Sequence, residues 1–342
     1  MTGPRIYIRS VATHLPDPVP VTAAVADGRY PADELAETEL TGIRVATDLA
    51  APEMAVLATR SAIERTPASP TEVSALAYAH LYHQGQDFWS PAAYVTQRVL
   101  HGSCPFFTVR EASNGGMLAL DLMASRLAGR AEPSSAYVVT ADRYTEPGFD
   151  RWRTDVGQIY SDGATSIEVS TRPGFVELLS IVTVADSSLE GLTRDHGCFS
   201  DAALQHDTPI DLRRLKRDFL DRAGSSTVFD ALTTGTRTVA RKALAVAQVS
   251  IDEIAFVVLP NVGRETLEWE FLEPLGIPID RTLWEWGRGV GHLGAGDQFA
   301  GLEHLILEKL VRPGDLVLLL NAGLGFTWTA AVAMFHSVPD WN

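Results

Sequence analysis

The sequence predicts an α/β protein built from parallel strands joined by helical crossovers. Strand-like and helix-like segments alternate along the first half, and the second half repeats that order of elements. The chain has 342 residues, 46% of them hydrophobic, enough for one large domain or two packed halves.

Taken in order, Arg5 to Val11 reads as a strand and Pro52 to Glu64 as a helix, with Met54, Leu57, Ala58, Ser61 and Ala62 on one face. Ser74 to Ala79 reads as a strand, Pro91 to Leu100 as a helix and Phe106 to Arg110 as a strand. A further helix begins near Ser113, with Met117, Leu120, Ala124, Leu127 and Ala128 at helical spacing. Ala136 to Thr140 and Ser166 to Val169 are strands, and Thr171-Arg172-Pro173-Gly174 punctuates the middle of the chain. The expected halves are therefore residues 1–172 and 173–342. In the second, Phe175 to Val184 is strand-like, Thr227 to Val246 a long helix, Ile254 to Leu259 a strand and Arg264 to Leu272 a helix. Thr282 to Trp286 is expected as a short strand before a glycine-rich loop, followed by a helix with Phe299, Leu302, Ile306 and Leu310 inward. Leu316 to Leu320 and Thr327 to Phe335 close the chain as strands.

Composition excludes several classes. A formal net charge of −15 disfavours nucleic acid and anionic membrane surfaces as partners. Met1 to Ser10 has no apolar signal region, and no stretch is long enough to span a bilayer. The two cysteines, Cys104 and Cys198, have no metal-ligand spacing, which predicts a reduced, cytoplasmic protein without a bound metal.

Two junctions carry the candidate chemistry. Ser113 lies where a strand gives way to a helix, beside unpaired N–H groups that stabilise developing negative charge. This suits a nucleophile, and it equally suits a helix cap. At the second junction, Gly287 to Asp297 holds His292 in a glycine-rich loop and Asp297 at a helix entry. If the halves pack about a pseudo-twofold axis, both junctions face one cleft. His292 can then take the proton from Ser113 while Asp297 fixes its tautomer. Asp297 as a helix cap and His292 as a structural residue are the plain alternatives. His196 is the other polar loop position of interest. Gly289 to Gly294 also fits the G-x-G-x-x-G dinucleotide fingerprint. Against a dehydrogenase, only about one and a half βαβ units of ~30 residues remain downstream. The next strand also ends at Leu320-Asn321 without the expected acidic residue.

Several ordered motifs resemble the ketoacyl-ACP synthase III family of the thiolase superfamily. They are Thr41-Gly42-Ile43-Arg44 with Ala51-Pro52-Glu53, Cys104 to Val109, Ile159 to Ala164, and Arg312 to Leu320 followed by Gly323 to Trp328. The resemblance implies a thiolase-like five-layer αβαβα fold of two similar halves, a homodimer, and no cofactor beyond an acyl-CoA or acyl carrier protein substrate. It puts the family's nucleophilic cysteine on Ser113, its active-site histidine on Asn261 and its active-site asparagine on His292. Loss of that His/Asn pair disfavours decarboxylative C–C bond formation. Gly291 to Gln298 instead resembles synthase III-like acyltransferases of polyketide antibiotic pathways, which use a Cys-His-Asp triad. The catalytic set so implied is Ser113, His292 and Asp297, with the oxyanion hole at the N–H groups of Ser113 and Leu324 and substrate contacts at Asn261 and His196. The acceptor would be a hydroxyl, such as a sugar on a polyketide glycoside, or a carrier-protein thiol. A starter-unit ketosynthase and a non-catalytic partner subunit are the alternatives. The family's adenine-gripping Trp and Arg fall on Ala36 and Leu40, so that hold on CoA is missing. Arg213-Arg214-Leu215-Lys216-Arg217 is a candidate docking run for an acidic carrier protein, or a solvated helix face.

Overall fold

The computed structural model describes residues 4–66, 72–102, 104–197, 199–201 and 208–341. Cys198 lies outside the described residues; Cys104 is a buried free thiol. The strands are β1 (Ile6–His14), β2 (Pro18–Pro20), β3 (Gly42–Arg44), β4 (Val73–Ala79), β5 (Phe106–Val109), β6 (Ser135–Asp142), β7 (Gly163–Ser170), β8 (Val176–Ala185), β9 (Ile254–Val258), β10 (Leu316–Gly323) and β11 (Thr327–Phe335). The helices are α1 (Val21–Ala26), α2 (Ala32–Thr38), α3 (Ala51–Arg65), α4 (Pro91–Leu100), α5 (Gly115–Ala128), α6 (Leu212–Ala223), α7 (Ser225–Ala247), α8 (Arg264–Leu267), α9 (Glu273–Leu275), α10 (Trp284–Gly287) and α11 (Asp297–Leu307). None is long and apolar enough to cross a membrane.

Nine strands form one sheet in the order β5-β4-β6-β7-β1-β8-β11-β10-β9. The expected parallel sheet is a mixed one. β4 pairs parallel with β5 and β6, and β9 with β10, whereas β6/β7, β7/β1, β1/β8, β8/β11 and β10/β11 are antiparallel. The departure has a local cause: β11 follows β10 after a three-residue turn, too short for a crossover, so the chain can only reverse. Read from the middle outwards, β1-β7-β6-β4 and β8-β11-β10-β9 are the same sequence of strands. Beyond β9, where the matching strand to β5 belongs, Thr282 alone forms a parallel bridge to Val257. The expected strand Thr282 to Trp286 is thus one bridged residue, because the chain turns at once into α10 to bury Trp284.

Three cores set five layers. α3 and α4 cover one face of the first set of strands, around Met54, Leu76, Tyr78 and Val139. α7 covers one face of the second, with Val228, Leu232, Val239 and Ala243 buried against Leu318, Leu320 and Val332. Between the two strand sets lie α5 and α11, whose Met117, Leu120, Phe299, Leu302 and Ile306 share one core with Ala77, Val138, Leu319 and Ala331. This is the thiolase-like arrangement. Leu310, expected inward, lies beyond the end of α11 and is exposed.

Gly116 lets the two central helices meet. A Cβ there would stand 2.2 Å from the carbonyl oxygen of Ala295, in the turn that leads into α11. Gly116→Ala is therefore expected to destabilise the fold by about 3 kcal/mol, read as a lowered urea midpoint. An unchanged midpoint would show that the contact yields freely.

Candidate active site

β5 ends at Val109 and α5 begins at Gly115. The intervening turn passes through Ala112 at φ +44°, a left-handed conformation costly for a residue with a Cβ. The tight turn leaves Ser113 facing away from the helix it precedes. Asn114, not Ser113, is the N-cap, and α5 has no side-chain capping bond. The capping alternative for Ser113 is therefore wrong. The Asn114 amide donates to Thr327 Oγ1 (2.9 Å) and Thr329 Oγ1 (3.0 Å), tying the turn to β11. Asn321 Nδ2 donates to the Ser113 carbonyl at 2.7 Å and to Gln298 Oε1 at 2.5 Å. Backbone and neighbours thus fix Ser113 from both sides.

His292 comes from the turn before α11. Gly291, at φ +77°, permits the bend, and a Cβ there would stand 2.5 Å from Ser161 Oγ. The His292 N–H donates to the Ile159 carbonyl (3.0 Å) and its carbonyl accepts from Ser161 N–H (2.8 Å), pinning the loop to residues 159–161. The Tyr160 ring stands edge-on to the imidazole at 5.3 Å. The imidazole is fully buried; its Nε2 lies 2.8 Å from Ser113 Oγ and its Nδ1 lies 2.6 Å from Asp297 Oδ2. Since Asp297 can only accept, Nδ1 carries the proton and Nε2 is left to accept from the Ser113 hydroxyl.

Asp297 is the first residue of α11, with Gly296 as its N-cap, so its carboxylate is not used on the helix end. Its Oδ1 accepts from Leu293 N–H (2.8 Å) and Asn261 Nδ2 (3.2 Å); its Oδ2 accepts from Asn261 N–H (3.0 Å) as well as from His292. Asn261 also donates to the Gly291 carbonyl at 3.1 Å. The expected substrate contact at Asn261 is corrected accordingly: its amide is spent behind the carboxylate and does not line the cavity. His196 is corrected too. It is exposed, stacks on Phe219 and stands outside the cavity. Leu324 lies on the cavity wall with Ser113.

Ser113 and His292 open into a cavity of about 320 Å³, whose apolar wall includes Val262, Phe229, Trp269, Phe271 and Phe326. One polar cluster stands in that wall. Lys216 Nζ meets Asp155 Oδ1 at 2.5 Å, while Asp155 Oδ2 accepts from Gln158 (2.6 Å) and from Tyr160 OH (2.9 Å). Burial, the largest single influence, would push the Asp155 carboxyl up, but the Lys216 ammonium together with hydrogen bonds from Val156 N–H and Gln158 holds Asp155 below the usual range. Within the basic run Arg217 is exposed, but the other three cations are engaged. Arg213 makes a two-bonded pair with Glu34 (2.6 Å each), Arg214 meets Asp195 (3.1 Å) and Lys216 is turned into the cavity wall. Among the described residues, no group of three His, Cys, Asp or Glu side chains could hold a metal ion. The G-x-G-x-x-G loop is used to place His292, and no strand precedes it as a dinucleotide fold requires.

Sequence reasoning missed Asn321, Tyr160 and the Lys216–Asp155 pair. Tyr160 did lie within a motif quoted for the resemblance, but nothing in the motif says that its ring meets an imidazole.

Residues 244–335 match the family model of 3-oxoacyl-[acyl-carrier-protein] synthase III, C-terminal part. The beta-ketoacyl-[acyl-carrier-protein] synthase III of Aquifex aeolicus is 24% identical over 302 residues, covering 87% of this chain and 89% of that protein. The solved synthase III structure from the same organism superposes with a TM-score of 0.78 at 21% identity, covering 96% of this chain and 100% of that one. The structure of ChlB3, described as an acyltransferase, superposes with a TM-score of 0.92 at 33% identity, covering 99% of this chain and 100% of that one. With an acyltransferase and synthases matched over almost their whole length, the chain belongs to the ketoacyl-ACP synthase III-like family of transferases.

Proposed function

We propose that the protein is an acyltransferase working through an acyl-Ser113 intermediate, with His292 as base and Asp297 as its orienting carboxylate. The observation that carries this reading is the continuous line Ser113 Oγ, His292 Nε2, His292 Nδ1, Asp297 Oδ2, with bonds of 2.8 and 2.6 Å. In the first half-reaction Oγ attacks the thioester carbonyl of an acyl-CoA or acyl carrier protein and His292 takes its proton. The tetrahedral oxyanion is held by the N–H groups of Ser113 and Leu324, and the thiol leaves with the proton from His292. In the second, an acceptor hydroxyl, such as a polyketide glycoside sugar, or a carrier thiol repeats the steps in reverse and frees Oγ. The chemistry needs no cofactor.

Decarboxylative condensation is disfavoured because Asn261, at the family's histidine position, is committed to Asp297 and Gly291 and is absent from the cavity wall. Asn261 therefore offers no donor to an enolate beside His292. The same reading takes residues 1–172 and 173–342 as the halves bearing nucleophile and base. It takes the protein as a cytoplasmic homodimer, joined where the short edge strand β5 leaves Phe106 exposed.

The test is incubation with labelled acyl-CoAs and acyl carrier proteins, then glycosides. An acyl adduct on Ser113 discharged as an ester supports the reading. A β-ketoacyl product overturns it in favour of a starter-unit ketosynthase, and no adduct with any donor in favour of a non-catalytic subunit.

A further inference from the structure

The charges on the cavity wall do not balance. Lys216 is matched by Asp155, and Arg213 by Glu34, both through short paired contacts. That leaves Glu270 inside the cavity, with the exposed Glu37 and Glu265 also on its lining. Glu270 makes no hydrogen bond or ion pair with any described residue, whereas the carboxylates of Asp155, Asp297 and Glu34 are all engaged. Burial pushes its carboxyl up to about 7, against the pull of Lys216. Glu270 is half-buried on the cavity lining, so a ligand that enters displaces the water there and must itself supply a counter-charge to the carboxylate.

The backbone under Glu270 points the same way. The helix running from Arg264 to Leu275 is interrupted by a π-turn over Glu268–Leu272, with Phe271 buried behind it. Such wide turns re-aim side chains and recur at binding sites. Beside Glu270 the wall offers Trp269, Phe229 and Leu220, apolar faces of the kind that receive a ring.

We propose that Glu270 is the specificity-determining residue of this cavity and receives the protonated amine of an amino-alcohol acceptor, of which an amino sugar is the natural class. This rests on the acyl-transfer reading above and names its acceptor. The ammonium, having no lone pair, is not acylated. A hydroxyl of the same molecule is the nucleophile: its O–C bond forms as the acyl–Oγ bond of Ser113 breaks, and its proton passes through His292 Nε2 to Ser113 Oγ. A neutral sugar would leave Glu270 unpaired, and an anionic one would meet three carboxylates.

Binding to the resting protein tests this without any turnover. Calorimetric affinities are measured for matched pairs of methyl glycosides, with an amine against a hydroxyl at each ring carbon in turn. At least one amine is expected to bind about tenfold or more tighter than its neutral counterpart, the scale of a charge-assisted hydrogen bond. In Glu270→Gln, which keeps shape and removes charge, that preference is expected to vanish. Equal affinities within every pair in the unsubstituted protein overturn the proposal, as does a preference that survives in Glu270→Gln. Intact-mass analysis of Ser113 acylation on the same preparation reports separately on the acyl-transfer reading. An amine preference without acylation would keep the Glu270 assignment and remove the reaction.

Discussion

Replacing His292 with alanine is expected to slow acylation of Ser113 by about four to six orders of magnitude, followed by intact mass against an acyl thioester. A serine hydroxyl is a poor nucleophile until a base removes its proton during attack. The group in hydrogen-bonding reach on the cavity side is the His292 imidazole, 2.8 Å from Oγ. Asn321, the other side chain tied to Ser113, bonds only to its backbone carbonyl and cannot substitute. The backbone bridge between His292 and Tyr160 does not depend on the imidazole, so the loop should keep its path in the variant. Melting curves check that it does. Labelling of His292→Ala at the unsubstituted rate would sink the assignment.

Asp297→Asn is expected to cost about four orders of magnitude in acylation and, in addition, about 1–3 kcal/mol in stability. The kinetic loss follows from tautomers. An amide NH₂ placed against Nδ1 donates to it, so the proton moves to Nε2, which then faces Ser113 as a donor and can no longer act as base. The stability loss follows from the four donors around the carboxylate. With its NH₂ on the imidazole side the new amide opposes one fixed donor, Asn261 N–H, and turned the other way it opposes two, Leu293 N–H and Asn261 Nδ2, so the first orientation is preferred and one acceptor is lost. The urea midpoint reads the second effect independently of the first. A variant as active as the original would mean that Asp297 is only a structural anchor for Asn261.

Much of the architecture was legible because helix signals are local. Pro91–Leu100 appears as expected, and Ser90 Oγ caps it by accepting from Ala93 N–H at 3.2 Å. β11 appears as read, since an apolar run of that length with turn residues before it has few other uses. Strand direction was not legible. Periodicity reports which residues face a core but not whether a neighbour runs up or down, and here the reversals depend on a turn at 324–326 and on β1 meeting β8. Thr282 to Trp286 failed for a related reason: tertiary burial of Trp284 ended the strand after one bridged residue.

The site divides in the same way. Residue type and position singled out Ser113, His292 and Asp297, because a hydroxyl at a strand–helix turn and a histidine in a glycine loop stand out in the sequence. Asn261 and His196 were misplaced by analogy and by loop context, neither of which tells where a side chain points. Lys216 read as part of a basic surface, because its partner Asp155 lies 61 positions away and cannot be paired by inspection.

By itself, then, the amino-acid order indicated most of the large strands and helices, much of the buried helix faces and the three side chains that stand in line at the cavity. Only the tertiary structure decided that Ser113 and His292, 179 positions apart, stand within a hydrogen bond of each other, and that Glu270 is left without a partner. The reason is physical. Local preferences are set by a few neighbouring residues, whereas the meeting of two turns depends on close approach at Gly116 and Ala295 and on the packing of two helices between facing strands.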